Sequence, residues 1–230
     1  MTLTSQQKDL IFGSLLGDGN LQTATAGRTW RYRALHKQEH AEYLEHKNNV
    51  LNNYCTPISP SVEDGETEGR PTYGEVFDER TGKIYYRSYF NTKVHTDFLV
   101  FGNMFYVYDK KLRKMVKRVP TNQVLASFLT ARALAYMYMD DGALKWLGHS
   151  NAMRICTESF IPEDVTRLRN VMFDKFKVVT TQNKKIQDDV YVGDRILIPE
   201  KSAATFVDLI KPYLVDCMKY KVSDGNKGHL

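Results

Sequence analysis

The chain has 230 residues, with 32 Lys+Arg against 27 Asp+Glu for a net charge of +5, which is enough to bury a substantial core as one domain or as two halves of about 100 to 120 residues each. Its best apolar run, residues 125–139, is short and contains Arg132, which argues against a membrane span. Cys55, Cys156 and Cys217 are too few and too far apart for a zinc cluster or a disulfide framework, and Met1-Thr2-Leu3-Thr4-Ser5-Gln6-Gln7-Lys8 shows no secretory pattern, so a soluble protein in a reducing compartment is expected.

The first element is an apolar segment, Ile11-Phe12-Gly13-Ser14-Leu15-Leu16-Gly17-Asp18-Gly19. Seven residues lead to one carboxylate and then a glycine, the pattern of a helix closed by a left-handed cap. Gly13 and Gly17 lie one turn apart, and each costs a helix about 1 kcal/mol relative to alanine. Such a pair asks for a packing reason, the close approach of a second helix.

Residues 21–24 and 30–36 are strand-like and joined by a glycine-containing turn; a period of two puts Arg31 and Arg33 on one face and the aromatics on the other. Residues 40–54 carry helical spacing, with Tyr43, Leu44, Val50 and Leu51 as its apolar positions. Residues 61–80 then hold seven acids (Glu63, Asp64, Glu66, Glu68, Glu75, Asp78, Glu79) against Arg70 and Arg80, a local −5 that leaves +10 on the remainder. This stretch reads as a solvated loop, and the basic remainder suits a polyanionic partner with steep salt dependence. Residues 83–91 alternate again, setting Tyr85, Arg87, Tyr89 and Asn91 opposite Ile84, Tyr86, Ser88 and Phe90. A helical pattern covers 95–105, and residues 110–118 contain six cations in nine positions, read as phosphate contacts ahead of Pro120.

The second apolar segment, Leu134-Ala135-Tyr136-Met137-Tyr138-Met139-Asp140-Asp141-Gly142, repeats the first, with Asp141 standing 123 positions after Asp18. Thr130 is its expected N-cap. One such segment alone is most simply a buried helix with an exposed terminal acid; two of them make a motif. An aspartate at a helix C-terminus is electrostatically misplaced by a few tenths to about 1 kcal/mol. Two brought together are worse, unless hard divalent cations sit beside the carboxylates, and oxygen ligands of this kind suit Mg²⁺.

The second half continues with a strand at 154–157, a helix at 162–176 with proline in its first turn, short strands at 178–181, 190–192 and 195–198, and a helix at 202–214. The order is helix, two strands, helix, two strands, helix, given twice. A parallel βαβ arrangement is the competing architecture for mixed elements, but strand pairs separated by turns favour antiparallel sheets.

The paired segments resemble the signature of the single-chain, two-motif LAGLIDADG homing endonucleases encoded in organellar group I introns. Lys117-Arg118-Val119-Pro120 before the second motif, and Ile210-Lys211-Pro212-Tyr213-Leu214 and Tyr220-Lys221 near the end, extend the resemblance over nearly the whole chain. It implies an α+β fold of two pseudo-symmetric αββαββα repeats, residues 1–122 and 123–230, whose four-stranded antiparallel sheets form a saddle over duplex DNA. It also implies a monomeric, Mg²⁺-dependent endonuclease that cuts a long asymmetric target to leave 3′ overhangs, located in a mitochondrion or chloroplast.

Carried onto this sequence, the resemblance makes Asp18 and Asp141 the metal ligands, assisted by the backbone carbonyls of Gly17 and Asp140, with two or more divalent ions bound. Lys117 and Lys221 become the lysines that offset charge near the scissile phosphates. His36, and more loosely Glu158, stand where the family usually has a glutamine that holds a metal-bound water. Arg31, Arg33, Arg87, Asn91, Lys184 and Lys185 are the expected DNA contacts. The alternatives are an intron RNA maturase, with or without residual cleavage, and a DNA-binding regulator, which would be expected to have lost an acid.

Overall fold

The computed structural model describes residues 2–55, 71–79, 81–146 and 148–222. Its first repeat runs α1 (Ser5–Leu15), β1 (Asn20–Gln22), β2 (Arg31–Lys37), α2 (Ala41–Val50), β3 (Thr72–Asp78), β4 (Lys83–Asn91) and α3 (Leu99–Phe105). A hairpin, β5 (Tyr106–Asp109) and β6 (Lys114–Lys117), and a short helix, α4 (Asn122–Phe128), lead to the second repeat. That repeat runs α5 (Ala131–Asp141), β7 (Gly142–Trp146), β8 (Ser150–Ile155), α6 (Pro162–Phe176), β9 (Thr181–Gln187), β10 (Val190–Ile198) and α7 (Glu200–Ile210). The αββαββα order therefore occurs twice, and both four-stranded sheets are antiparallel with matching orders, β1-β2-β4-β3 and β7-β8-β10-β9.

Local sequence explains where the two motif helices begin. In α1 the Gln7 backbone N–H donates to Thr4 Oγ1 and the Thr4 N–H donates to Gln7 Oε1, a reciprocal capping box. In α5 the Ala133 N–H donates to Thr130 Oγ1 at 3.0 Å, as its sequence predicts. The two helices pack directly on each other, and α5 is buried from Ala133 to Asp140. A helix that is apolar all round belongs in a core, so the repeats share one core across this contact. The glycine pair makes it possible: a Cβ at Gly13 would stand 2.1 Å from the Ala133 carbonyl oxygen, and one at Gly17 would stand 2.6 Å from Asp140 Cβ.

Several expectations change. Neither motif helix ends in a left-handed cap: α1 stops at Leu16 in a right-handed conformation and α5 at Gly142 with φ −82° and ψ 150°. Gly19 and Gly142 serve space instead, since a Cβ there would meet Ser14 Cβ at 2.7 Å and Tyr138 Cδ2 at 2.2 Å. Part of the acidic stretch is strand β3, which carries Glu75 and Asp78 at the sheet edge; Glu63, Asp64, Glu66, Glu68, Arg70 and Arg80 lie outside the described residues. The basic run forms the hairpin end, with Asp109 accepting from the Lys111 and Leu112 N–H groups. Strand β7 had no sequence counterpart, and β9 begins where a strand was expected to end. The β9 sequence is mostly polar because it is an edge strand wetted along its length, so it lacks an apolar alternation. Among the described residues no helix is long and apolar enough to cross a membrane.

Candidate active site

Asp18 follows the last turn of α1 and Asp141 ends α5, so the α1–α5 contact brings them together at the rim of one open cavity of about 600 Å³, also lined by Gly17, Lys117 and Glu158. Burial, followed by repulsion from Asp18 and Asp140, pushes the Asp141 carboxyl up to about 8. Asp18 is raised too, by burial and then by Asp140, although half of its side chain meets solvent. Two carboxylates that destabilise each other in one wet cavity, with backbone carbonyls beside them, form an all-oxygen donor set that fits a hard divalent cation and leaves positions for water or phosphate oxygens. Among the described residues no group of three or more His, Cys, Asp and Glu side chains is arranged to hold a metal ion, so the donor set here is the two carboxylates with backbone carbonyls.

This has a pH consequence. Asp141 binds its proton more tightly in the fold than in the unfolded chain, where a carboxyl titrates near 4. Its contribution is therefore fully present below about 4 and is lost as pH rises through about 8. In chelator, melting temperature is expected to fall between pH 7 and pH 8.5, above the histidine range, and Asp141→Asn should flatten that slope. An unchanged slope in the variant would show that other groups produce it.

The lysines take corresponding positions although they come from different elements. Lys117, at the end of β6, donates from Nζ to the carbonyls of Gly17 (2.9 Å) and Gly19 (3.1 Å). Lys221, at the end of the 3₁₀ segment Asp216–Lys221, donates to those of Met139 (2.5 Å) and Asp140 (3.0 Å). Each ammonium thus caps the carbonyl just before a motif aspartate. Burial lowers the pKa of both lysines, while Asp18, Asp140 and Asp141 act in the opposite sense.

Asp140 itself is not in the cavity chemistry through its carboxylate. Its Oδ1 accepts from Lys47 Nζ at 2.6 Å and from Tyr43 OH at 2.9 Å. Burial acts to raise its pKa, but Lys47, His36 and these hydrogen bonds more than offset it, and the group stays ionised below the ordinary carboxylate range. Lys47 is fully buried and also reaches His36 Nε2 at 3.0 Å, while His36 Nδ1 faces Asp18 Oδ2 at 4.0 Å. Burial, then Lys47, drives the His36 pKa down to about 3, so the ring is neutral. Sequence reasoning missed Lys47, yet its spacing from Tyr43, Leu44, Val50 and Leu51 puts it in the middle of the apolar stripe of α2.

The sheet registers bear on the second water-positioning candidate, Glu158, which lines the cavity with Asp141. Asn20 pairs with Arg33 and Ala143 with Arg154, so Arg154 is the twin of Arg33 and Thr157 the twin of His36. Glu158 matches Lys37 instead and forms an ion pair with Arg195. Arg154, which sequence reasoning also missed, keeps a buried Nε with no hydrogen-bond partner among the described residues.

On the first sheet the expected DNA contacts share one face. Burial alternates along β2 so that Arg31, Arg33, Leu35 and Lys37 face outward, and Arg33 lies across from Asn91 and Lys37 from Arg87. On β9 the alternation separates Lys184 from Lys185: Gln182, two residues before Lys184, bonds Thr166 and the Pro162 carbonyl of α6, which puts Lys184 on the helix-bearing face and Lys185 on the open one. The two lysines leave β9 on opposite faces of the sheet.

A family model described as the LAGLIDADG DNA endonuclease family matches residues 8–206. A protein of Chlamydomonas applanata, DNA endonuclease I-ChuI, is 54% identical over 230 residues, covering 100% of both chains. The cytochrome b mRNA maturase bI2 of Saccharomyces cerevisiae is 25% identical over 217 residues, 94% of this chain and 47% of that protein. Among solved structures, the homing endonuclease I-WcaI bound to its DNA recognition sequence superposes with a TM-score of 0.76 at 25% identity, covering 96% of this chain and 87% of that one.

Proposed function

The chain belongs to the LAGLIDADG DNA endonuclease family, and from that premise we propose that it is a monomeric homing endonuclease that cuts both strands of a long asymmetric DNA site and leaves 3′ overhangs. The observation that carries this reading is the meeting of Asp18 and Asp141 at one cavity through the α1–α5 contact. Residues 1–122 and 123–230 are its two repeats. Because they differ in sequence, one chain can read a site whose halves differ, whereas a homodimer imposes a palindrome.

In this reading Asp18 and Asp141 hold divalent cations, Mg²⁺ first, with the carbonyls of Gly17 and Asp140 as further donors; a carbonyl has two lone pairs, so each can serve a cation and a lysine together. When bound, the cations supply Lewis-acid stabilisation of the phosphorane and a nucleophilic water. Lys117 and Lys221 keep positive charge beside the carbonyl ends of the motif helices, where the scissile phosphates approach. Arg31, Arg33, Arg87 and Asn91, with Lys185 and Arg154 in the second repeat, present donors to phosphates and base edges from the open sheet faces. The cytochrome b mRNA maturase among the relatives supports an organellar location.

The test is to incubate the protein with Mg²⁺ and the joined exons that flank its coding intron, with each strand end-labelled. Staggered cuts near the junction are expected, and binding without cleavage under all divalent ions would overturn the nuclease reading. The maturase named among the relatives favours a second reading, assistance of intron RNA splicing, which stimulated splicing of the precursor in the same preparation would reveal.

A further inference from the structure

We propose, resting on the nuclease reading, that Lys47 and Asp140 are positioning residues that lock His36 in the tautomer bearing its proton on Nδ1, aimed at Asp18, and that among the described residues this device exists in the first repeat alone. The two strands of the target are then cut by centres that are not equivalent.

The tautomer follows from donor counting. An ammonium has three donors and no acceptor, so the 3.0 Å contact from Lys47 Nζ requires His36 Nε2 to accept. In a neutral ring the remaining proton must then sit on Nδ1. That nitrogen faces Asp18 Oδ2 at 4.0 Å, longer than a hydrogen bond, and both residues line a cavity of about 470 Å³ with room for water. Lys47 has little freedom to release Nε2. Its ammonium is 2.6 Å from Asp140 Oδ1 and 4.5 Å from the Tyr43 ring centroid, and its side chain has no solvent exposure. A buried ion pair is a poor source of net stability, so its retention suits a role in orientation.

Among the described residues the second repeat has no such device. The twin of His36 is Thr157, whose hydroxyl donates to the Asp194 carbonyl at 2.7 Å and so has no proton left for Asp141. The acid that fixes Lys47 comes from the second motif, so the shared α1–α5 core lets one repeat's helix set the proton position in the other.

Two measurements test this. Long-range ¹H–¹⁵N correlation spectra of the metal-free protein should show His36 with Nδ1 protonated and Nε2 bare. In Lys47→Met/Asp140→Asn, which removes both buried charges together, the ring should change to the Nε2–H form. Strand-resolved cleavage should show His36→Leu slowing one strand on the order of 10- to 100-fold with the other within about twofold. His36→Gln should restore most of that rate, because its amide oxygen can accept from Lys47 while its N–H faces Asp18. A wild-type ring protonated on Nε2, or His36→Leu acting equally on both strands or on neither, would overturn the proposal. A wild-type protein that cuts no target would overturn the nuclease reading, and the spectra would still decide the tautomer.

Discussion

Asp18→Asn and Asp141→Asn should each end double-strand cleavage, with cutting reduced by at least about 10³-fold on one strand or both, while affinity for the target stays or increases. The affinity follows from charge: each substitution removes an anion from a cavity that must accept phosphates. The structural control is unusually clear, because the Asp141 carboxyl is held up at about 8 by burial and by its acidic neighbours, and neutralising it relieves that repulsion. Asp141→Asn should therefore melt at a higher temperature than the parent in chelator at pH 8. Activity lost while stability is gained separates a ligand from a structural residue. The measurement is end-labelled cleavage on a denaturing gel beside a binding titration and a melt, and a full double-strand break by either variant would remove that residue from the metal site.

Much of the fold was legible because the strongest signals are local and periodic. The motif helices announce themselves by seven-residue apolar runs, Thr130 by its capping position, and α6 by Pro162 in its first turn. The β2 alternation was legible for the same reason, since one face packs on the core and the other is wet. What escaped is what depends on tertiary position. The β9 sequence Thr-Gln-Asn-Lys-Lys-Ile-Gln has little apolar content because it is a sheet edge, and β7 is short and follows a helix without a separating turn. The terminal glycines were read through backbone conformation, when their reason is the nearness of Ser14 and Tyr138.

The site divides along the same line. The acids could be named because the segment that carries them occurs twice, and the two late lysines because Lys117-Arg118-Val119-Pro120 and Tyr220-Lys221 match stretches of the family the chain resembles. Thr157 could not, since its equivalence to His36 exists only in the register of paired strands. Lys47 falls between these cases. Its helical position was plain, but a charged residue in an apolar stripe is ordinarily assigned to the surface, and only the arrival of Asp140 from the other repeat makes its burial sensible.

Gly13→Ala should be the most damaging single-methyl change in the core. The new Cβ would lie 2.1 Å from the Ala133 carbonyl oxygen and 2.8 Å from both the Ala133 carbonyl carbon and Tyr136 Cβ. Backbone of α5 and a Cβ fixed to it cannot rotate away, so the helices must separate. Overpacking of this kind costs about 1–3 kcal/mol or more, against which alanine's better helix propensity returns about 1 kcal/mol. Gly17→Ala meets Asp140 Cβ at 2.6 Å and should follow the same course more mildly, and Gly74→Ala, with nothing within 4 Å, is the neutral control. Because α1 and α5 also carry the two aspartates, separation moves the ligands apart as it loosens the core. The expected signature is a lower urea midpoint for Gly13→Ala together with a cleavage loss larger than its unfolded fraction explains. A Gly13→Ala protein as stable as the Gly74→Ala control would show that the helices do not meet at the spacing that brings Asp18 and Asp141 to one cavity.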